Sequence, residues 1–214
     1  MIDSLIEEYA SNHSTPESLI LNKLYRETNL KQMNPRMLSG HLQGKLLEMI
    51  SCMICPKQIL EIGTFTGYSA INLTKGLQNG GKLHTIDIDE ELELMARSYF
   101  AEAGLNEKII LYIGDALKIV PTINEVFDLV FIDADKEDYI AYFNICVDKV
   151  RQGGFIIADN VLWNGKVVNQ TTKNDKDTIA IKQFNEFVLN DTRVENVLLP
   201  FRDGLMLIDR KSVV

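Results

Sequence analysis

The chain has 214 residues, the length of one α/β domain with a proper core and too short for two ordinary ones. Apolar residues make up 46% and charged residues 24%, as in soluble globular proteins, and the net charge of −8 is spread without an acidic or basic block. That spread argues against DNA or RNA as a partner, because phosphate binding needs a clustered basic face. No apolar run approaches the roughly 18 residues of a membrane span. The opening residues, MIDSLIEEYA, are acidic and amphipathic rather than a secretory signal, so a cytoplasmic protein is expected, without nucleic acid or membrane partners.

Ser14-Thr15-Pro16-Glu17 reads as a helix start, with a hydroxyl cap and proline in the first turn. Leu19, Ile20, Lys23, Leu24 and Glu27 continue at helical spacing, so the first thirty residues read as two helices. After Asn34-Pro35 an amphipathic helix is expected from about Ser39 to Ile54, with Leu42, Leu46, Leu47, Met49 and Ile50 at its apolar positions. Cys52 and Cys55 form a lone C-x-x-C at the end of this helix, whereas thiolates are activated at helix N-termini. No second C-x-x-C or histidine pair completes a zinc site, so both are expected to be plain buried cysteines. The region 1–55 is thus a helical layer, a lid or a subunit contact, added to an α/β core at 56–214 within a single domain.

From Lys57 the rhythm becomes strand then helix. Strands are expected at Gln58–Ile62, Lys82–Asp87, Lys108–Ile113, Phe127–Asp133 and Gly154–Ala158. Helices are expected at about Gly67–Gln78, Glu90–Ala103, Ala116–Val120, Lys136–Val150 and Asp177–Leu189. Asn79-Gly80-Gly81 and Gly153-Gly154 mark breaks between helix and strand. Val194–Leu199 and Leu205–Ile208 are separated only by PFRDG, too short for a parallel crossover, so they must pair antiparallel. The expected architecture is a Rossmann-like α/β fold with five parallel strands and a C-terminal antiparallel hairpin.

Ligands of open parallel sheets bind outside the carboxyl ends of the strands. The first strand is followed by Gly63-Thr64-Phe65-Thr66-Gly67 and the start of a helix, with Glu61 inside the apolar run and Ser69 just beyond. The glycines allow close backbone approach, and the helix start offers N–H groups. Bulky Phe65 and the lack of a basic residue speak against a dinucleotide or a phosphate-cradling loop. Asp87 ends the second strand, where an acid accepts from a ribose diol, and Gly114-Asp115-Ala116 end the third, suited to flank an adenine. A cofactor without phosphates fits, and S-adenosylmethionine is the candidate. Asp133 closes the fourth strand, and Asp159 and Asn160 the fifth. If those strands are neighbours, the three oxygen donors form a hard-cation site, for Mg2+ first and Ca2+ or Mn2+ next. The competing reading is that Asp159-Asn160 only shape a turn.

The stretches ILEIGTFTGYSA, FDLVFIDADKEDY and GGFIIADNVLWNGKV together resemble the cation-dependent small-molecule O-methyltransferases, the catechol and caffeoyl-CoA O-methyltransferases and their bacterial relatives. The resemblance runs from about Leu38 to the C-terminus. It implies the S-adenosylmethionine-dependent methyltransferase fold, metal ligands at Asp133, Asp159 and Asn160, and a homodimer. It also implies cofactor contacts at Glu61, Gly63, Ser69, Asp87, Ala116 and the backbone around Asp133. Ser39, in MLSGHLQGK, would lie near the cofactor's amino acid end, and Gln43 stands where many relatives carry Glu.

Lys136 sits at a helix start, against the macrodipole and near the expected cation, where a lysine loses its proton more readily, as a general base must. The resemblance makes it the base that deprotonates the attacking hydroxyl; the bland reading pairs it on the surface with Glu137 or Asp138. Asp135 and Asp203 are candidates for holding the substrate's second hydroxyl or shaping the pocket, Trp163 for walling an aromatic ring or for plain packing, and His41 for a place near the substrate. The loop Val161–Lys176 and the segment before Gly44 are expected to set specificity. The activity so implied is methylation of one hydroxyl of a small aromatic diol. The rivals are a non-catalytic S-adenosylmethionine-binding protein and a nicotinamide-dependent dehydrogenase.

Overall fold

The computed structural model describes residues 4–211 and divides into two units, one running to Ala116 and the other beginning at Leu117. In the first unit, helices α1 (Ser4–Asn12), α2 (Leu19–Lys31) and α3 (Gly40–Ile54) precede strand β1 (Gln58–Ile62). Helix α4 (Tyr68–Leu73), strand β2 (Lys82–Asp87), helix α5 (Glu93–Glu102) and strand β3 (Ile109–Ile113) follow. The strands are parallel in the order β3-β2-β1, with Glu61 opposite Thr85 and Asp87 opposite Ile113. Buried Ile59, Leu60, Ile62, Leu83 and Ile86 form near-continuous apolar runs, as strands covered on both faces must. Helix α3 buries the stripe Gln43, Gly44, Leu47, Ile50 and Ser51, and Ser51 Oγ donates to the Leu73 carbonyl at 2.6 Å.

The second unit holds β4 (Phe127–Ile132), α7 (Tyr139–Val147), β5 (Val150–Asp159), α8 (Lys176–Leu189), β6 (Val194–Leu199) and β7 (Leu205–Arg210). The short helix α6 (Ala116–Ile119) leads into it. Strands β4 and β5 are parallel, while β7 is antiparallel to both β5 and β6, so the unit's order is β4-β5-β7-β6. The expected antiparallel hairpin is therefore present. Its core stacks aromatic rings edge to face, with Phe184 of α8 5.2 Å from Tyr139 and 6.4 Å from Phe143.

Several expected boundaries move, each for a local reason. Helix α2 starts later than Ser14-Thr15-Pro16-Glu17 suggested: Ser18 caps it, accepting from Leu21 N at 3.4 Å. Ser14 instead closes the helix before, its Oγ donating to the Ala10 carbonyl at 2.7 Å. Strand β5 begins at Val150, four residues before the expected Gly154. The glycine pair lies within the strand as a bulge, since the register jumps from Phe127–Val150 to Leu129–Phe155 and Gly153 takes φ +66°. The expected helices after β1, β2 and β3 and before β5 are shorter α-helices extended by 3-10 turns. Cys52 and Cys55 are not buried, because the face of α3 that packs inward ends at Ile50 and Ser51; both thiols are exposed, and only Cys146 is buried. Among the described residues no helix is long and apolar enough to cross a membrane.

Phe184 is fully buried against two aromatic neighbours, so Phe184→Ala should lower the unfolding free energy by about 3–5 kcal/mol. Urea denaturation measures this, and a loss below about 1 kcal/mol would contradict the packing described.

Candidate active site

Two clusters of polar side chains sit at strand ends, one in each unit. In the first, the turn after β1 runs through left-handed backbone at Gly63 (φ +102°), Phe65 (φ +49°) and Gly67 (φ +92°). A Cβ on Gly67 would meet the Phe100 ring at 2.5 Å, so that position needs glycine for space as well as conformation. The turn is tied to the next strand from both directions. Gly63 N donates to the Ile86 carbonyl at 2.9 Å. Asp87 Oδ2 accepts from Phe65 N at 2.6 Å and Oδ1 from Asp89 N at 2.9 Å. Burial holds the Asp87 pKa above the usual carboxylate value, against the lowering effect of those amides and that of Thr64.

Glu61, the charge inside the apolar run, is fully buried. Thr85, opposite it in the ladder, donates from Oγ1 to Glu61 Oε2 at 2.5 Å. Thr64 Oγ1 lies 2.5 Å from Thr85 Oγ1, and since the Thr85 proton is directed to Glu61, Thr64 is the donor there. A relay of two hydroxyls thus runs from the glycine turn to the buried carboxylate. Thr28 Oγ1 of α2 donates to Thr66 Oγ1 at 3.0 Å, fastening an N-terminal helix to the same turn. Gly114 N donates to the Asp87 carbonyl at 2.8 Å, and buried Ala116 follows at the start of α6. Ser39, before α3, and Ser69, in α4, are also buried.

In the second unit the last paired residues of β4 and β5 are Ile132 and Ala158, which puts Asp133 and Asp159 at matching positions one residue further on. Lys136 is only 8% exposed. Its Nζ donates to Asp133 Oδ1 at 3.0 Å and to Tyr139 Oη at 2.5 Å. Tyr139 Oη in turn donates to the Asp159 carbonyl at 2.9 Å. Burial, and then the charges of Asp133 and Asp159, push the Tyr139 pKa well above its usual value, so the phenol keeps its proton for that bond. Lys136 Nζ also lies 4.6 Å from the Tyr139 ring centroid and 5.9 Å from that of Trp163. The surface pairing of Lys136 with Glu137 or Asp138 is absent; Glu137 is 4.0 Å from Lys176 instead.

Asp159 Oδ1 accepts from Asn160 N at 2.7 Å, and Asn160 takes φ +57°. The turn that this dipeptide was expected to shape is therefore real, and it coexists with the alignment of the strand ends. Among the described residues no three His, Cys, Asp or Glu side chains gather as a metal cluster. Asp133, Asp159 and Asn160 offer two carboxylates and an amide, the sparse oxygen ligation that Mg2+ accepts, so the donor set fits.

Other singled-out residues have structural duties. His41 Nε2 donates to the Thr15 carbonyl at 2.8 Å, and Nδ1 is hydrogen-bonded to Ser11 Oγ at 2.9 Å. Both ring nitrogens thus bracket the N-terminal segment to α3. Asp135 caps the turn at Lys136, accepting from Glu137 N at 3.0 Å. Asp203 accepts from Asn164 N, and its carbonyl from Leu162 N at 2.9 Å, fixing the loop in which Trp163 and Asn164 both have positive φ. Sequence reasoning missed Tyr139, Thr85 and Thr64. Tyr139 stands at i+3 from Lys136, a readable spacing, whereas the threonines become partners of Glu61 only once the strand register is known.

Solved structures share this architecture. The O-methyltransferase from Bacillus cereus in complex with SAH superposes with a TM-score of 0.90 at 31% identity, over 97% of each chain. The fold is that of the S-adenosylmethionine-dependent methyltransferases. Caffeoyl-CoA O-methyltransferase 2 of Eucalyptus globulus is 33% identical, with 92% of this chain and 83% of that protein covered. Catechol O-methyltransferase domain-containing protein 1 of Mus musculus is 33% identical, with 96% and 79% covered. The O-methyltransferase family model matches residues 11–211, and the chain belongs to that family. The match takes in α2, ahead of the stretch from Leu38 where the motifs lie. Membership makes the protein a methyltransferase and sets aside the dehydrogenase reading.

The raised pKa of Asp87 has a thermodynamic consequence. The folded state holds this proton more tightly than the unfolded chain, so the group favours folding less as pH rises from the usual carboxylate value through the raised one. Asp87→Asn should remove that contribution, making the stability of the wild type relative to the variant fall across this window. Parallel stability–pH curves from urea melts would contradict the assignment.

Proposed function

We propose that the protein methylates one hydroxyl of a small vicinal aromatic diol, using S-adenosylmethionine and a hard divalent cation, Mg2+ first. The observation that carries this reading is the buried Lys136 amino group, fixed by Asp133 and Tyr139 beside the aligned ends of β4 and β5. Family membership supports the methyl transfer, and the names of two relatives, caffeoyl-CoA and catechol O-methyltransferases, support an aromatic diol.

The cofactor's binders are Ser39, Glu61, Gly63, Ser69, Asp87, Ala116 and the backbone at Asp133. Gly63 admits the ligand close to the backbone, Asp87 has lone pairs for a ribose diol, and Ser39 meets the amino acid end. Asp133, Asp159 and Asn160 hold the cation. S-adenosylmethionine supplies a methyl group on a sulfonium, and the cation supplies charge that makes a neighbouring phenol more acidic. Asp133 and Tyr139 keep Lys136 Nζ at one position; once one of its protons has passed to solvent, the neutral amine there has the lone pair that takes the proton of the attacking hydroxyl. The remaining acceleration comes from holding the acceptor in place, with Trp163 beside the lysine as the wall for its ring.

Initial rates with a simple catechol test this. Chelation by EDTA should abolish activity and Mg2+ restore it, Asp159→Ala should behave like the chelated enzyme, and Lys136→Ala should lower kcat by about 10²–10⁴-fold. Activity undiminished in EDTA and in Asp159→Ala would remove the cation from the account.

A further inference from the structure

Four sulfur-bearing side chains fall within the run Met49-Ile50-Ser51-Cys52-Met53-Ile54-Cys55 at the end of α3. All four point away from the buried stripe: Met49 and Met53 are 55% and 76% exposed, and both thiols are exposed. Met49 and Cys52 are i, i+3 neighbours on α3, Met53 follows Met49 at i+4, and Cys55 is the residue that caps the helix. Neighbours at these spacings have Cβ atoms about 5–6 Å apart, within the reach of flexible thioethers. Cys55 is held firmly in a left-handed cap (φ 49°, ψ 58°), its N donating to the Ser51 carbonyl at 2.8 Å and its carbonyl accepting from Gln78 Nε2 at 2.6 Å. Its Sγ lies 3.0 Å from the Cys52 carbonyl oxygen, which folds the second thiol back onto the turn that carries the first.

We propose that Met49, Cys52 and Cys55, with Met53 beside them, form a binding site for a soft monovalent metal ion of the Cu(I) or Ag(I) class. Thiolates and thioethers are the soft ligands that select Cu(I). Zinc is the poorer fit, since it takes four thiolate, imidazole or carboxylate ligands, and among the described residues no three such side chains gather. The C-terminal end of α3 carries partial negative charge, which favours a bound cation and discourages the nucleophilic thiolate chemistry of other C-x-x-C pairs. Each ligating thiol releases its proton to solvent, and no electron is transferred, because the ion enters as Cu(I). The site shares no residue with the candidate cofactor and cation clusters.

The test is competition for Cu(I) between the reduced full-length protein and a chromophoric Cu(I) chelator, without oxygen. One equivalent should bind, Cys52→Ser and Cys55→Ser should each weaken binding on the order of 100-fold, and Met49→Leu on the order of tenfold with its thiol titre unchanged. The proposal is overturned if no Cu(I) is taken from the chelator, or if either serine variant binds as tightly as the wild type. It is equally overturned if Met49→Leu leaves the affinity unchanged, which would mean two ordinary thiols. Circular dichroism of the variants, all at exposed positions, confirms that a lost affinity is not a lost fold.

Discussion

A buried ammonium must be neutralised where it sits, and in the second unit one such charge organises the ends of two strands. Lys136 is almost fully enclosed and meets that demand with the Asp133 carboxylate and the Tyr139 hydroxyl. Tyr139 passes the constraint on, to the Asp159 carbonyl by hydrogen bond and to Phe184 by ring contact. The end of β4, the end of β5, α7 and α8 are thereby positioned around one cation. Removing Lys136 would leave Asp133 without its countercharge and Tyr139 without its donor, so the proposed function and local order are joined at this residue.

The first unit buries a carboxyl group instead. Glu61 faces Thr85 across the ladder, and Thr64 completes a line of hydroxyls to the glycine turn. Asp87 fixes the same turn by accepting from the Phe65 amide, so the backbone shape of the candidate cofactor turn is held by side chains of the neighbouring strand. In each unit a buried ionisable side chain serves as an anchor, and the candidate site residues lie beside it.

Much of this was legible in the chain, and the rest was hidden for physical reasons. Strands β1, β2 and β6 begin and end at the expected residues, because each is an apolar or alternating run bounded by turn residues. The start of β5 was not legible, since Gly153-Gly154 signal a break in any local reading and only pairing with β4 shows that they are a bulge inside the strand. The strand-end acids could be found by counting to the ends of apolar runs. What each one touches could not: Asp87 appeared as a partner for a ribose and also proves to be a clamp on the turn. Cys52 and Cys55 were misjudged because the apolar character of α3 continues past the face that is buried, and only packing shows where that face lies.

The central claim is that the aligned ends of β4 and β5 hold a divalent cation beside Lys136. Titration of Mn2+ into the metal-free protein, followed by loss of the free-ion electron paramagnetic resonance signal, addresses it directly. The account predicts one bound equivalent in the wild type and its loss in Asp159→Ala. Equal binding by both proteins, or none by the wild type, would contradict it.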